Sequence, residues 1–421
     1  MSGKNAGCAA RLTRISPRAT YHYCASHNLS LVLCKSCKVT EIHLMLDSLK
    51  QLWIFFKYSR KRSRRLETAV EDVNNNRQDN NKISKSKFKI FCETRWTEKH
   101  ATLDTFATMY EALVACLEAI SYNEGRSWDR KAITDAHGLL SKITDSTFIM
   151  CFHTVHNFFG YVRGVSSKLQ GSSLDIVEGY KMIGAVKQII EKTRKTEQEF
   201  DLVYSKTSGM AVKAGLDELK MPRRCARQTH RNNVPSTSDK EYFKRAIYLP
   251  YLDELIQQLD MRFGQEAVSV VRALSILPSR VYLISQEMEN DIYDFYNAGM
   301  PSPESFRQEM RIWKLFWENQ PDKPESITST LTDVRACSTL FPNIMKVLFL
   351  LALTSVTSSS TERANSSLKL IKNDLRSTMK EDRLNALLLL YVHRDIKLDY
   401  DKIIDDYAMR NPRKMVLMNP L

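Results

Sequence analysis

The sequence predicts a mostly α-helical protein with a small β remnant. Apolar residues recur at three- and four-residue steps from Leu103 onward, at Phe106, Tyr110, Leu113, Leu117 and Ile120. That spacing lays one continuous stripe along a long helix. Strand candidates are few and lie near the start, around Ala19-Thr20-Tyr21-His22-Tyr23-Cys24. Polar or proline-punctuated segments separate the helical blocks.

In chain order, Asn28 to Leu33 reads as a continuous apolar helix. The basic run Arg60-Lys61-Arg62-Ser63-Arg64-Arg65 leads into a polar tract from Asn74 to Asn81 and then Lys82 to Lys89, which predicts an exposed linker. Helices are expected at Phe158 to Val165, Ile176 to Thr193 and Tyr248 to Phe263. Between the last two, Met221 to Ser238 has the punctuation of a loop and carries Arg223, Arg224, Arg227 and Arg231. Met300-Pro301-Ser302-Pro303 through Pro321 and Pro324 predicts turns and short helices. The run Ile344 to Val356 contains Lys346 and is too short to span a bilayer, so a buried helix is expected. After a serine/threonine knot, Glu362-Arg363 opens a basic amphipathic helix whose apolar face is Leu368, Ile371 and Leu375. A helix over Ala386 to Val392 is apolar nearly all round, and Tyr400 to Tyr407 forms a last one. Such surface must be covered by the domain or by a partner.

A chain of 421 residues accommodates two or three domains with real cores. Its formal charge of +14 favours a polyanionic partner, nucleic acid first. Nine cysteines, an odd number at irregular spacing, predict thiols of a reducing compartment rather than a disulfide framework. The opening residues lack the apolar core of a secretory signal. No membrane association, small-molecule substrate or cofactor is expected.

The stretch Ser359 to Lys372, with Asp374-Leu375-Arg376-Ser377-Thr378-Met379 and Arg383-Leu384-Asn385, resembles the C-terminal dimerisation region of hAT-type DNA transposases. Cys24-Ala25-Ser26-His27-Asn28-Leu29 is similar to the family's Cys-x-x-His element, and Thr94-Arg95-Trp96 to the Arg-Trp element that opens its insertion domain. The loop Arg223 to Arg231 looks most like domesticated members of the family. The resemblance covers essentially the whole chain. It implies a truncated ribonuclease-H-like core split by a large helical insertion: residues 1–66 as the N-terminal remnant, 67–90 as linker, 91–333 as insertion, and 334–421 as the dimerisation region completing the core. It also implies a homodimer, or a heterodimer with longer hAT relatives. Glu362 stands where the family has the last of three metal-binding carboxylates. The first two fall upstream of Met1, so Glu362 is expected to be vestigial and the chain to lack nuclease activity, since one carboxylate cannot hold two metal ions.

Each of these residues also has a plainer role. Glu362 lies three residues after Ser359, the spacing of a capping box. Arg95 and Trp96 match the pair that contacts DNA ends in the family, and Trp96 serves equally as a packing anchor. Arg363 is expected to be solvated or paired. Arg60, Lys61, Arg62, Arg64 and Arg65 fit a nuclear localisation signal, a phosphate patch or a solvated face. Cys24, His27, Cys34 and Cys37 have the residue types of a zinc site but flank a helix, which favours buried thiols and no metal. The principal expectation is a nuclear, non-catalytic, dimerising protein. The alternatives are a fragment of an active transposase and a nuclear regulator acting through DNA.

Overall fold

The computed structural model describes residues 7–15, 24–77, 82–84, 88, 96–169, 176–223, 234–263, 273–335, 339–353 and 359–410. All regular structure among the described residues is helical. The helices are α1 (Cys8–Ile15), α2 (Ala25–Ser36), α3 (Thr40–Lys57), α4 (Arg60–Asn75), α5 (Trp96–Ser121), α6 (Arg130–Ile143), α7 (Ser146–Leu169), α8 (Ile176–Lys195) and α9 (Gln198–Lys213). They continue with α10 (Asp239–Phe243), a π-turn at Lys244–Tyr248, α11 (Leu249–Phe263), α12 (Gln286–Tyr296), α13 (Phe306–Glu318), α14 (Ile327–Asp333), α15 (Pro342–Leu353), α16 (Ser359–Ile371), α17 (Glu381–Val392) and α18 (Tyr400–Arg410). The chain divides into two units, Met1–Thr357 and Ser358–Leu421.

The expected stripe on α5 is realised. Leu103, Phe106, Tyr110, Leu113, Leu117 and Ile120 are all buried. So are Met109, Ala112 and Cys116 on the flanks, because α5 is covered by α4, α6 and α7 together. Phe106 is the aromatic centre of this region, with ring contacts to Tyr110, Phe148 and Phe152. Helix α7 buries apolar residues on nearly every side, from Phe148 through Phe152 to Phe158 and Val162, and packs against α3, α5, α8 and α9.

Two expectations of the sequence are corrected. The basic run does not begin an exposed linker: Arg60 opens α4, which extends to Asn75 and buries Leu66, Ala69 and Val70. These three recur at i, i+3 and i+4, a stripe narrow enough for the surrounding charge to mask. Even beyond α4 the backbone is pinned, because Asn74 bonds both the N–H and the C=O of Ile83, which is buried. The proline-rich segment holds more than short helices. Between Pro303 and Pro321 runs the 13-residue α13, burying Phe306, Met310, Trp313 and Trp317. As for the β remnant, Cys24 is the N-cap of α2; the rest of the strand candidate, Ala19 to Tyr23, lies outside the described residues, and those described contain no strand.

The expected buried helix over Ile344 is α15, and its start is held by an unusual cap. Pro342 occupies the first turn, where its missing N–H is no loss. The next two amides donate to the buried carboxylate of Glu309 on α13: Asn343 N to Oε2 at 3.2 Å and Ile344 N to Oε1 at 2.8 Å. The Asn343 side chain in turn accepts from Ser302 N at 3.0 Å and donates to Ser302 O at 2.7 Å. Burial pushes the Glu309 carboxyl above its ordinary value, against the opposing pull of those amides. The network fixes α15 on α13 and satisfies amides that would otherwise be buried unpaired. Glu309→Ala, which orphans both amides, is expected to cost about 3 kcal/mol in urea unfolding, and Glu309→Gln, which keeps an acceptor, distinctly less.

Candidate functional site

The basic residues of α4 do not act as one patch. Lys61 donates to the Ser127 carbonyl and lies over the Trp128 ring at 4.4 Å. Arg62 donates to the Phe55 carbonyl at 3.3 Å with its guanidinium over the Phe55 ring. Arg65 pairs with Glu124 at 3.1 Å. Lys61 and Arg65 thereby anchor the turn after α5, where Asn123 and Arg126 both adopt positive φ (52° and 51°). Arg60 and Arg64 remain exposed. They line one cleft with Trp53 and Lys57, whose Nζ stands 4.4 Å from the Trp53 ring centroid.

Of the other predicted residues, Arg223 is exposed, whereas Arg224, Arg227, Arg231 and Arg95 lie outside the described residues. Trp96 begins α5, and Glu362 and Arg363 fall in the first turns of α16. Cys24 and Cys37 bracket α2. Cys24 Sγ accepts from His27 N at 3.4 Å, and Cys37 Sγ donates to Leu33 O at 3.1 Å. At 1.5 Å rise per residue the two thiols are roughly 20 Å apart along the helix, too far to share an ion.

The structure brings together a group that the sequence did not single out. His100 and Asp104 sit one turn apart on α5, and His156 reaches them from α7. His100 Nδ1 lies 3.0 Å from Asp104 Oδ2, and His156 Nε2 lies 2.9 Å from Asp104 Oδ1. Arg163, two turns after His156, donates to Asp104 Oδ2 at 3.3 Å. Burial pushes His100 below the ordinary imidazole value, against the attraction of Asp104. Burial works to raise the Asp104 carboxyl, but the hydrogen bond from His156 and the charges of His100, His156 and Arg163 outweigh it and hold it low. His156 is clamped from its other side by the stacked ring of Phe152, 5.5 Å away. No sequence motif marks this group, because its members are 52 residues apart on two helices.

Residues 358–421 differ in kind. Helices α16 and α17 pack on each other. Among the described residues of this unit, Ile371 alone is buried. Leu389 and Leu390 on α17 are 61% and 54% exposed, and Ile403, Ile404 and Tyr407 on α18 are each exposed by nearly half. Interleaved with them are exposed cations, Lys369, Lys372, Arg376 and Arg383, and exposed carboxylates, Asp401, Asp405 and Asp406. The described residues of these three helices, with one of them buried, do not make a core of their own.

No family model matches the chain. The chain is 25% identical over 411 residues to the human protein named 52 kDa repressor of the inhibitor of the protein kinase, and to its mouse counterpart at the same identity and length. Each match covers 96% of this chain and 53% of the relative, so the chain spans about half the length of the curated relatives it matches. The chain is thus similar, almost from end to end, to a domesticated hAT-like protein.

Proposed function

We propose that the chain is a transposase-derived regulatory protein that works in the nucleus without nuclease chemistry, by associating with a second copy of itself through residues 358–421. The observation that carries this reading is a unit with one buried residue among those described and large apolar side chains exposed on α17 and α18. A lone surface leucine needs no explanation, whereas several large apolar side chains exposed along each of two successive helices suit a surface that is covered in use. The mixture of exposed cations (Lys369, Lys372, Arg376, Arg383) and carboxylates (Glu381, Asp382, Asp401, Asp405, Asp406) suits a two-fold contact, in which the same patch must complement itself. Similarity to a domesticated hAT-like repressor, and the resemblance of Ser359 to Asn385 to a dimerisation region, point the same way. In this reading residues near both ends descend from a ribonuclease-H-like core, and Glu362 has no catalytic role. Light scattering on the full chain at micromolar concentration is expected to give a dimer. Leu389→Glu with Leu390→Glu, on side chains already exposed, is expected to give a folded monomer with at least tenfold weaker association. A wild-type chain that stays monomeric at high micromolar concentration contradicts the proposal.

A second property rests on Lys57, Arg60 and Arg64, which share one face beside Trp53. Exposed cations next to an aromatic ring suit a nucleic-acid backbone with a stacked base or sugar. Duplex binding is expected to weaken steeply with salt, and Arg60→Ala with Arg64→Ala to reduce the slope of log affinity against log salt by about 2. Absence of binding at low salt, or an unchanged slope, removes this property.

A further inference from the structure

We propose that His100, Asp104 and His156 form a binding site for one divalent transition-metal ion, zinc foremost, joining α5 to α7. One ring nitrogen each of His100 and His156 and a carboxylate oxygen of Asp104 all lie within 4.8 Å of one another. Two come from one helix at i and i+4, a spacing that sets side chains on the same face one turn apart. The third comes from the facing helix, so the set is fixed by packing rather than by a loop. Two imidazole nitrogens and one carboxylate oxygen are the donor types that zinc accepts and that magnesium and calcium do not favour.

The geometry needs only a small adjustment. A tetrahedral zinc with nitrogen and oxygen ligands about 2.0–2.2 Å away separates neighbouring ligand atoms by roughly 3.3 Å. The observed nitrogen–oxygen separations of 3.0 Å (His100 Nδ1 to Oδ2) and 2.9 Å (His156 Nε2 to Oδ1) are hydrogen-bond contacts to the two oxygens of one carboxylate, which open and turn one of those oxygens toward the ion to admit it. His100 is buried at 7% exposure, so its ring is held in place by the packing of α5. The Phe152 ring stacked on His156 holds the second ligand in orientation. Arg163 is the competitor, since its ion pair occupies Asp104 Oδ2. Its side chain is 63% exposed and can turn to solvent when a cation takes its place. Three protein ligands leave a position for water, so the ion would be exchangeable. Nine cysteines elsewhere in the chain are the main source of confusion in any metal measurement, and the test separates them.

The experiment uses the full chain, freed of metal by chelation and returned to buffer. Cobalt(II) titration is expected to produce a visible absorption band at one equivalent without the near-ultraviolet thiolate band. Asp104→Asn and His156→Gln are each expected to weaken that binding at least tenfold, and Cys24→Ser with Cys34→Ser and Cys37→Ser to leave it unchanged. Because a ligand variant could fail to fold, X-ray absorption on the zinc-loaded wild-type chain provides a reading free of substitution. A first shell of nitrogen and oxygen at about 2.0 Å with imidazole scattering supports the site, and a sulfur shell at about 2.3 Å overturns it. Absence of the cobalt band, or its survival in both ligand variants, shows instead a hydrogen-bonded staple between two helices and ends the proposal.

Discussion

Burial of α7 is the constraint on which the first unit depends. This helix carries Phe148, Ile149, Met150, Phe152, Val155, Phe158, Phe159 and Val162 on more than one face, and all are buried. Each large apolar side chain removed from water contributes about 1.5–3 kcal/mol, so the helix is stable only if neighbours approach from several directions. Helices α3, α5, α8 and α9 do so. The few polar groups of α7 must then find partners inside the bundle or at its rim. Thr154 bonds the Met150 carbonyl within its own helix. Asn157 and Tyr161 converge on Glu199 of α9 at 2.8 and 3.0 Å, and His156 and Arg163 converge on Asp104 of α5. The candidate metal site is thus one of two polar seams that appear where an otherwise apolar helix must satisfy its hydrogen bonds. His153 shows the opposite case: burial pushes it down to about 3, and its Nε2 is buried with no hydrogen-bond partner, so its ring is neutral at physiological pH.

The same physics accounts for the different character of residues 358–421. Here the apolar residues of α16, α17 and α18 have no equivalent of α7 to gather around. Leu375 is almost wholly exposed, and the leucine run of α17 is covered on only part of its circumference. A helical segment in this state loses conformational entropy without burying enough surface to offset it. Under the proposed function, association would supply the missing cover, which links the local packing of this unit to that proposal. The basic run of α4 illustrates how folding redistributes a sequence feature: Lys61, Arg62 and Arg65 are drawn into contacts with the chain itself, and only Arg60 and Arg64 are left for an external partner.

Much of the helical architecture was legible because apolar periodicity is strong where a helix has one buried face or is buried all round. The α5 stripe, the second half of α7 from Phe158, α8 and α15 follow from residue spacing, whereas the first half of α7, with Phe148 and Phe152, was not read from it. Helix α4 was not legible, because three buried residues at i, i+3 and i+4 are outnumbered by Arg, Lys, Glu and Asn, and composition suggested a linker. Helix α13 was hidden by the prolines that bracket it. The apolar character of α17 and α18 was visible in the leucine run and in the Tyr400 to Tyr407 pattern, but whether the domain or a partner covers it was not, and their exposure within the chain emerges only from the structure. The His100–Asp104–His156 group was not, since it depends on α5 and α7 lying side by side, and no local signal encodes that contact. Its one local trace is the His-x-x-x-Asp spacing at 100 and 104, a common pairing on helix surfaces.

The central claim is that α17 and α18 are covered by a second copy of the chain. Hydrogen exchange followed by mass spectrometry, repeated across a dilution series of the full chain, tests it most directly. The account predicts that amides in α17 and α18 gain protection as concentration rises, while those of α5 and α7 stay equally protected throughout. Exchange in α17 and α18 that is independent of concentration would contradict it: if fast, nothing covers them, and if slow, the chain covers them itself.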